Sequence, residues 1–370
     1  MLLGACILDL DNLTSGGTGG GMTSSSASGG AGGMTVSSSS STGGADVDGG
    51  DAGDGDAQTG CSLLDCSCVS GPTVIAAGAP HADSPRGIAI TSDSVLWVNE
   101  QSGNVMRVGF GGTPLKIADT SGPRAIDTVG GVVVWTAQDG LFACTLPSCG
   151  SSKHQVFGAA AAGSLRDVAF DGQTVVFSDN GSGSNSGKVL SCAIGSCSPI
   201  SLNTNMVAPE GVELYGGRAF FLDQGNGNQN GNVSSAPKSS QILTQHAASL
   251  NFPTGVAVDD TYVYWTEREP SGHVRRCAYG SGYCDNPEDV APAAGGLARP
   301  SDIRIGGGRI YWMNADDGSI MSCPQPGCGG SEMPKVHVSG RQSLQRLVVG
   351  ASCVFWTEGG NGGAVLKMPR

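Results

Sequence analysis

A short hydrophobic pattern recurs along most of the chain. Each copy opens with a Pro or Leu and a β-branched run, followed by a run centred on an aromatic residue, a polar loop and a further hairpin. The copies begin at SPRGIAI (84), GPRAIDT (122), SLRDVAF (164), APEGVEL (208), FPTGVAV (252), RPSDIRI (299) and SLQRLVV (343). They recur every 38 to 47 residues, the length of one propeller blade. The pattern predicts an all-β chain: a seven-bladed β-propeller with four-stranded antiparallel blades.

The second run of each copy carries an aromatic residue at one fixed position. The runs read VLWVNE, VVWTAQ, VVFSDN, AFFLDQ, VYWTER, IYWMNA and VFWTEG, and together they hold all five Trp of the chain. The aromatic residues are Trp97, Trp135, Phe177, Phe221, Trp265, Trp312 and Trp356. Because each blade must fill the wedge against its neighbour, these large side chains are predicted to form the core and not a cofactor site.

The segment FPTGVAVDDTYVYWTEREPSGHVRR (252–276) resembles the YWTD repeat of low-density-lipoprotein-receptor-type propellers, and more loosely the NHL repeat. A weaker likeness extends over residues 73–370. The chain departs from the YWTD pattern in its fourth letter and in blade number, since YWTD propellers have six blades. The resemblance implies the propeller fold and leaves function open, because one fold hosts many functions.

The seventh copy ends at MPR (368–370), after only three predicted strands. The segment Thr73–Ala77 (TVIAA) resembles the predicted fourth strands of other copies, which read PLKIAD, HQVFG, SQILT and PKVHVS. We therefore expect Thr73–Ala77 to complete the last blade, a closure that leaves no open sheet edge.

Eight of the thirteen cysteines form four close pairs, each in the turn predicted between the third and fourth strands of a copy. The first and fourth copies lack both members of the pair, which indicates that the two members bond each other. Zinc ligation, the alternative, needs four converging ligands, and pairs on separate blades do not converge. The predicted disulfides are Cys144–Cys149, Cys192–Cys197, Cys277–Cys284 and Cys323–Cys328.

The cysteines outside these pairs indicate a link between the N-terminal segment and the last blade. Cys353 begins the second strand of the seventh copy, close to where the closing strand would dock. We expect at least one bridge to Cys353 from Cys61, Cys66 or Cys68, and the spacing leaves open which one. Cysteine use on this scale indicates an oxidising compartment.

Residues 1–60 differ in composition from residues 61–370, which are predicted to form the propeller domain. The first segment is rich in Gly, Ser and Thr, with seven Asp and no Lys or Arg, and has too little apolar surface to form a core. It is predicted to be a disordered tether. Leu3-Gly4-Ala5-Cys6 resembles the bacterial lipobox, which implies lipidation of Cys6, although a chance match is the alternative. Lipidation would also use up the odd cysteine.

These features predict a protein of the cell envelope or the extracellular space, an outer-membrane lipoprotein held only by its lipid. The chain has no apolar run near the length of a membrane span. Its formal net charge is −12, and no basic patch suggests nucleic-acid binding. We expect the partner to be a protein, peptide or glycan of the envelope.

The loops that enter the first strands are predicted to line one mouth of the central channel. The residue after each Pro or Leu marker, here called the entering residue, is Arg86, Arg124, Arg166, Glu210, Thr254, Ser301 or Gln345. The three Arg on adjacent blades suit a carboxylate or phosphate. Acids that follow the aromatic position are also candidate ligand-binding residues: Asp179, Asp223 and Glu267. The alternative interpretation is that the arginines pair with these acids or with Glu358 and tie the blades together.

From this mouth we predict that the protein binds a ligand or another protein and does not catalyse a reaction. The Asn-, Gly- and Ser-rich loops 179–187 and 223–232 could offer hydrogen bonds to sugars. The five His occupy different repeat positions, and we predict no catalytic set and no cofactor. The alternative function is a lyase or lactonase-type hydrolase that holds a divalent metal, Ca²⁺ being the candidate, near the channel.

Overall fold

The computed structural model describes residues 62–67, 69–109, 111–159, 164–292, 294–329, 332–360 and 362–370. The predicted tether at 1–60, the lipidation site Cys6, and Cys61 and Cys68 lie outside the described residues. The described part forms seven antiparallel sheets of four strands each, which confirms the predicted fold. No helix in it is long and apolar enough to span a membrane.

The first four blades follow one another along the chain. Blade 1 is β2 (Pro85–Ile90), β3 (Ser94–Asn99), β4 (Asn104–Gly109) and β5 (Leu115–Asp119). Blade 2 is β6 (Ile126–Val129), β7 (Val132–Thr136), β8 (Gly140–Thr145) and β9 (His154–Gly158), with a 3-10 turn at Gly150–Ser152. Blade 3 is β10 (Leu165–Phe170), β11 (Thr174–Asp179), β12 (Gly187–Ala193) and β13 (Ile200–Met206). Blade 4 is β14 (Pro209–Tyr215), β15 (Arg218–Asp223), β16 (Gly231–Pro237) and β17 (Thr244–Leu250).

The remaining three blades complete the ring, the last of them with the N-terminal strand. Blade 5 is β18 (Pro253–Val258), β19 (Tyr262–Glu267), β20 (His273–Ala278) and β21 (Glu288–Asp289), with a 3-10 turn at Tyr279–Ser281. Blade 6 is β22 (Pro300–Gly306), β23 (Arg309–Asn314), β24 (Ser319–Pro324) and β25 (Lys335–Val338). Blade 7 is β26 (Leu344–Val349), β27 (Cys353–Glu358), β28 (Ala364–Pro369) and β1 (Thr73–Ala77).

Strand β1 pairs antiparallel with β28 and closes the ring, as predicted for Thr73–Ala77. One predicted fourth strand is wrong in position: SQILT (240–244) is mostly loop, and β17 starts only at Thr244. Ile242 in that loop is 72% exposed. The outer strand faces solvent, so apolar residues there gain little burial and do not fix the strand register.

The seven repeated aromatic residues are fully buried between blades. Each packs in a cluster that combines its own blade with the preceding one, and the seven clusters cover the seven blade interfaces. Each also lies opposite an aliphatic residue of the first strand of its own blade, as Ile88 lies opposite Trp97. Aliphatic–aromatic pairs of this kind are the unit of sheet stabilisation. The prediction that these aromatic residues form the core between neighbouring blades is confirmed.

The four hairpin disulfides form as predicted, Cys144–Cys149, Cys192–Cys197, Cys277–Cys284 and Cys323–Cys328. A fifth disulfide joins Cys66 to Cys353 across 287 residues of sequence and confirms the predicted link. Beside it, the buried ammonium of Lys367 donates a hydrogen bond to the carbonyl of Leu63 at 3.2 Å. The N-terminal segment is therefore fastened to blade 7 by a covalent bond and by a charge-assisted hydrogen bond.

The channel is narrow near the mouth because the innermost strands approach one another closely. A Cβ on Gly87 of blade 1 would lie 2.9 Å from the Cα of Ala125 in blade 2. A Cβ on Gly255 of blade 5 would lie 3.0 Å from the backbone of blade 6. The packing therefore leaves no room for a side chain at Gly87 and Gly255.

Further down, the channel widens into a chamber of about 220 Å³, here called the lower chamber. Asp127, Glu213 and Arg304 line it from three blades, all at one repeat position. Burial raises the pKa of Asp127 to about 6, against hydrogen bonds from the N–H groups of Phe170 and Thr128. Burial likewise raises the pKa of Glu213 to about 7, and Arg304 opposes this only in part.

We expect the disulfide that joins Cys66 to Cys353 to contribute more stability than a hairpin disulfide. The loop-entropy estimate is about 6 kcal/mol for a bridge that closes 287 residues and about 2 kcal/mol for one that closes 5. Chemical denaturation of the full chain should show a larger loss for Cys66→Ser/Cys353→Ser than for the matched Cys144→Ser/Cys149→Ser. Equal losses would contradict the prediction.

We expect stability to fall as pH rises through the neutral range because of the lower chamber. The pKa of an unperturbed Glu is about 4.3, so a folded-state value raised to about 7 means that the folded state holds this proton more tightly. The contribution of the protonated Glu213 carboxyl group to the free energy of unfolding is therefore complete in acid and is lost as pH rises through about 7. Glu213→Gln should flatten the dependence of unfolding free energy on pH between about 5 and 8, whereas Glu332→Gln, at an exposed site, should not.

Candidate functional site

In every blade but the second, a β-bulge at the start of the first strand lies at the entering residue. In six blades the register between the first and second strands slips by one residue there. In blade 1 the shift lies between Pro85 and Ile88, where Arg86 and Gly87 together lie opposite one residue of β3. An extra residue bends the strand and re-aims its side chain.

The seven entering residues line a single cavity of about 430 Å³ at the mouth of the channel. They are Arg86, Arg124, Arg166, Glu210, Thr254, Ser301 and Gln345. Gln224 and Arg268, which follow second strands, complete the rim, and Arg346 and Asp302 lie at the floor. The structure thus brings together the ring that the repeat position predicts.

Hydroxyl groups behind the mouth fix the backbone of several entering residues. Ser178, one residue beyond the aromatic position, accepts a hydrogen bond from the N–H of Asp167 at 3.0 Å and donates one to the carbonyl of Glu210 at 2.8 Å. Thr136 and Thr357, at the same repeat position, donate to the carbonyls of Arg166 and Arg86. These side chains join neighbouring blades. The recurrence of Ser or Thr after the aromatic residue was a usable sequence signal for them.

Positive charge is concentrated on blades 1 and 2. Arg86 makes an ion pair with Glu100 at 2.7 Å and donates to the amide oxygen of Gln345 at 3.3 Å. Arg124 lies 3.8 Å from the same Glu100, beyond hydrogen-bond distance. Burial lowers the pKa of Arg124, as do the neighbouring charges of Arg166 and Arg86. One carboxylate therefore serves two guanidinium groups, and that of Arg124 makes no hydrogen bond within the described residues.

The third arginine is held by an amide. With the amide of Asn180 oriented to satisfy both of its groups, its oxygen accepts from Arg166 Nε at 2.8 Å and its nitrogen donates to the carbonyl of Pro209 at 2.8 Å. Burial raises the pKa of Glu210, and the charges of Arg166 and Arg346 oppose this effect. The hydrogen-bond partner of Arg166 is thus an uncharged amide.

The predicted acids Asp179, Asp223 and Glu267 lie outside the lining of the mouth cavity. All three are nearly fully buried and make hydrogen bonds within their own blades. Asp179 accepts from the N–H of Gly181, Asp223 from that of Ala208, and Glu267 pairs with Arg275. The structure places these carboxylates as supports of the loops.

The interpretation in which the entering arginines pair with the acids after the aromatic position is wrong. The partner of Arg86 and Arg124 is Glu100, which lies one residue further along the loop. Glu358, in the predicted set, pairs instead with Arg341. The acids after the aromatic belong to the buried second strand, whereas Glu100 lies beyond its end and reaches the mouth.

An ion bridge across the channel forms the floor of the mouth. Arg346 of blade 7 lies 3.4 Å from Asp167 on the opposite side of the ring and 3.3 Å from Asp302 of blade 6. Burial lowers the pKa of Arg346, but the charges of Asp167, Asp302 and Glu210 outweigh it and the net pKa is raised. Arg346 lines both the mouth and the lower chamber and separates them.

The sequence did not predict this floor. The position after the entering residue holds mostly small residues, which are typical of a crowded channel wall. Four of its seven members are Gly or Ala: Gly87, Ala125, Gly211 and Gly255. The other three are Asp167, Asp302 and Arg346, and opposite charges in a ring of small residues were the available signal.

Comparison with solved structures identifies similar folds at low sequence identity. The Streptogramin B lyase structure has a TM-score of 0.58 and 11% identity, covering 80% of this chain and 96% of that chain. Virginiamycin B lyase from Staphylococcus aureus gives 0.57 and 10%, covering 80% and 98%. The WD40 β-propeller domain of Doa1 gives 0.59 and 12%, covering 80% and 97%. No protein-family model matches the sequence, and no curated protein matches it. At these identities the likeness shows the propeller fold alone.

Proposed function

We propose that this chain is a non-catalytic binding module of the cell envelope that takes a carboxylate- or phosphate-bearing ligand at the mouth. The observation that carries the proposal is the convergence of Arg86, Arg124 and Arg166, from three consecutive blades, on one cavity. The planar fork of a guanidinium group suits bidentate contacts to carboxylate and phosphate oxygens. The cavity volume, about 430 Å³, lies within the range of small-molecule sites.

The charge balance of the mouth supports an anionic ligand. Arg124 makes no hydrogen bond within the described residues and lies beside two other cations that lower its pKa. An anion seated between the three guanidinium groups would relieve this repulsion. It would also supply the acceptors that Glu100, shared between Arg86 and Arg124, does not.

The floor of the mouth favours a ligand that enters the channel from one face of the propeller. The bridge from Arg346 to Asp167 and Asp302 closes the channel beneath the entering residues. Both carboxylates are also held by backbone N–H groups, Asp167 by that of Val212 and Asp302 by that of Leu347. The floor of the mouth is therefore already ordered before a ligand binds.

A metal-dependent lyase or lactonase, the alternative from the sequence, would need a cluster of metal ligands near the channel. The described residues contain no group of three or more His, Cys, Asp or Glu side chains placed to hold a metal ion.

The envelope location rests on the N-terminal sequence and the cysteines. The lipobox-like start at Cys6 and the acidic, Gly- and Ser-rich segment that follows are typical of a lipid-anchored tether. Five disulfides fit an oxidising compartment.

We expect Arg124→Gln to weaken anion binding by about tenfold to a hundredfold, because a charge-assisted hydrogen bond contributes about 1.5–3 kcal/mol. Isothermal titration calorimetry at fixed low salt, with citrate and inorganic phosphate as probes, measures the change. Arg370→Gln is the matched control, since Arg370 contacts the Gly350 carbonyl and does not line the mouth. Parent-like affinity in the combined Arg86→Gln, Arg124→Gln and Arg166→Gln variant would refute the proposed site.

We expect Arg346→Met to lower the free energy of unfolding by about 3 kcal/mol at neutral pH, since it leaves Asp167 without its counter-charge, whereas Asp302 keeps its ion pair with Arg304. The loss should shrink in acid, where the unpaired carboxylate of Asp167 takes up a proton and no longer needs a partner. Adding Asp167→Asn to Arg346→Met should restore part of the stability. Chemical denaturation at pH 5 and pH 8 tests this, and a loss independent of pH would contradict it.

A further inference from the structure

A side recess opens next to the mouth, over blades 4 to 6. Its volume is about 410 Å³, and its lining combines Phe252, Glu269, Pro270 and Arg299 with Gln224 and Arg268. Gln224 and Arg268 also line the mouth cavity. The two cavities are therefore adjacent, so a ligand long enough to span both can lie in the mouth and the recess.

Phe252 of the recess is costly for the fold in two ways. Its backbone has a φ of 48°, in the left-handed region that a bulky residue rarely adopts. Its side chain is also left partly in solvent, the residue being 38% exposed. Strain of this kind, when a smaller residue would serve, points to a functional role.

Other blades show that a smaller residue does serve at this position. The residue before the Pro or Leu marker is also left-handed in blades 1, 2 and 7, where it is Ser84, Gly122 and Ser343. In blade 6 it is Arg299, which lines the same recess as Phe252. The large side chains at this position are thus the two that face the recess.

The Asn- and Gly-rich loop 223–232 packs directly on Phe252. A Cβ on Gly227 would lie 2.3 Å from Cζ of the Phe252 ring, so the glycine permits this contact. The polar side chains that line the recess together with Phe252 are Gln224, Arg268, Glu269 and Arg299. An aromatic surface therefore lies beside groups that donate and accept hydrogen bonds.

We propose that the mouth and the side recess together bind an acidic oligosaccharide, with its carboxylates at the entering arginines and one sugar ring packed on Phe252. The inference rests on the proposed function and names its ligand class. A pyranose ring has an apolar C–H face that packs on an aromatic ring and a hydroxyl edge that needs many hydrogen bonds. The recess offers this combination beside the concentrated positive charge of the mouth.

The test compares di- and tetragalacturonate binding to the full chain by calorimetry, with citrate as a probe of the mouth alone. We expect the tetramer to bind the parent more tightly than the dimer. Phe252→Ser, which installs the residue found in blades 1 and 7, should weaken tetramer binding by about tenfold, leave citrate binding unchanged and not lower Tm. Tyr283→Ser, at a 49% exposed aromatic outside both cavities, is the matched control and should change none of these.

Different failures separate the two proposals. Parent-like tetramer binding by Phe252→Ser, with citrate binding still sensitive to Arg124→Gln, would overturn the sugar subsite and leave the anion site standing. A fall in Tm together with weaker citrate binding would show a structural role for Phe252 and also overturn the subsite. Tighter binding of hexaglutamate than of tetragalacturonate would overturn the glycan assignment. No saturable binding of any probe by the parent would refute the proposed function itself.

Discussion

The packing of one aromatic side chain into each blade interface is the interaction on which the rest of the structure depends. Each aromatic residue lies against an aliphatic residue of its own first strand and against the core of the preceding blade. Because the contact is repeated seven times around a closed ring, it fixes the distance between neighbouring first strands. That distance leaves no room for a Cβ at positions such as Gly87 and so determines the bore of the channel. The aromatic side chains packed between the blades therefore determine the width of the mouth.

The same geometry explains why charge and polarity are unevenly distributed along the channel. At the rim, Arg86 and Arg124 from neighbouring blades share a single carboxylate. One layer down, oppositely charged residues meet across the ring in the bridge formed by Arg346. Below that bridge, Asp127 and Glu213 have raised pKa values because few groups compensate their burial. The channel is thus a stack of separate electrostatic layers, of which the uppermost is open to a ligand.

The sequence predicted the repeated parts of this molecule well, because seven copies within one chain act as their own comparison. The aromatic core, the closing strand, the hairpin disulfides and the ring of entering residues all follow from repeat position. Features that depend on contacts between distant blades could not be predicted in this way, and the bridge between Arg346 and Asp167 is the plainest case. The acids after the aromatic position were misplaced because Asp223 and Glu267 are the last residues of buried second strands, and the motif does not show where those strands end.

The attachment of Cys66 to Cys353 has a mechanical consequence. Cys66 precedes β1 in the chain, and its disulfide leads directly into β27 in the interior of blade 7. A pulling force applied anywhere before Cys66 would pass through the covalent bond into the middle of a sheet. It would not peel β1 away from β28 one hydrogen bond at a time. The seam that closes the ring is thereby shielded from load.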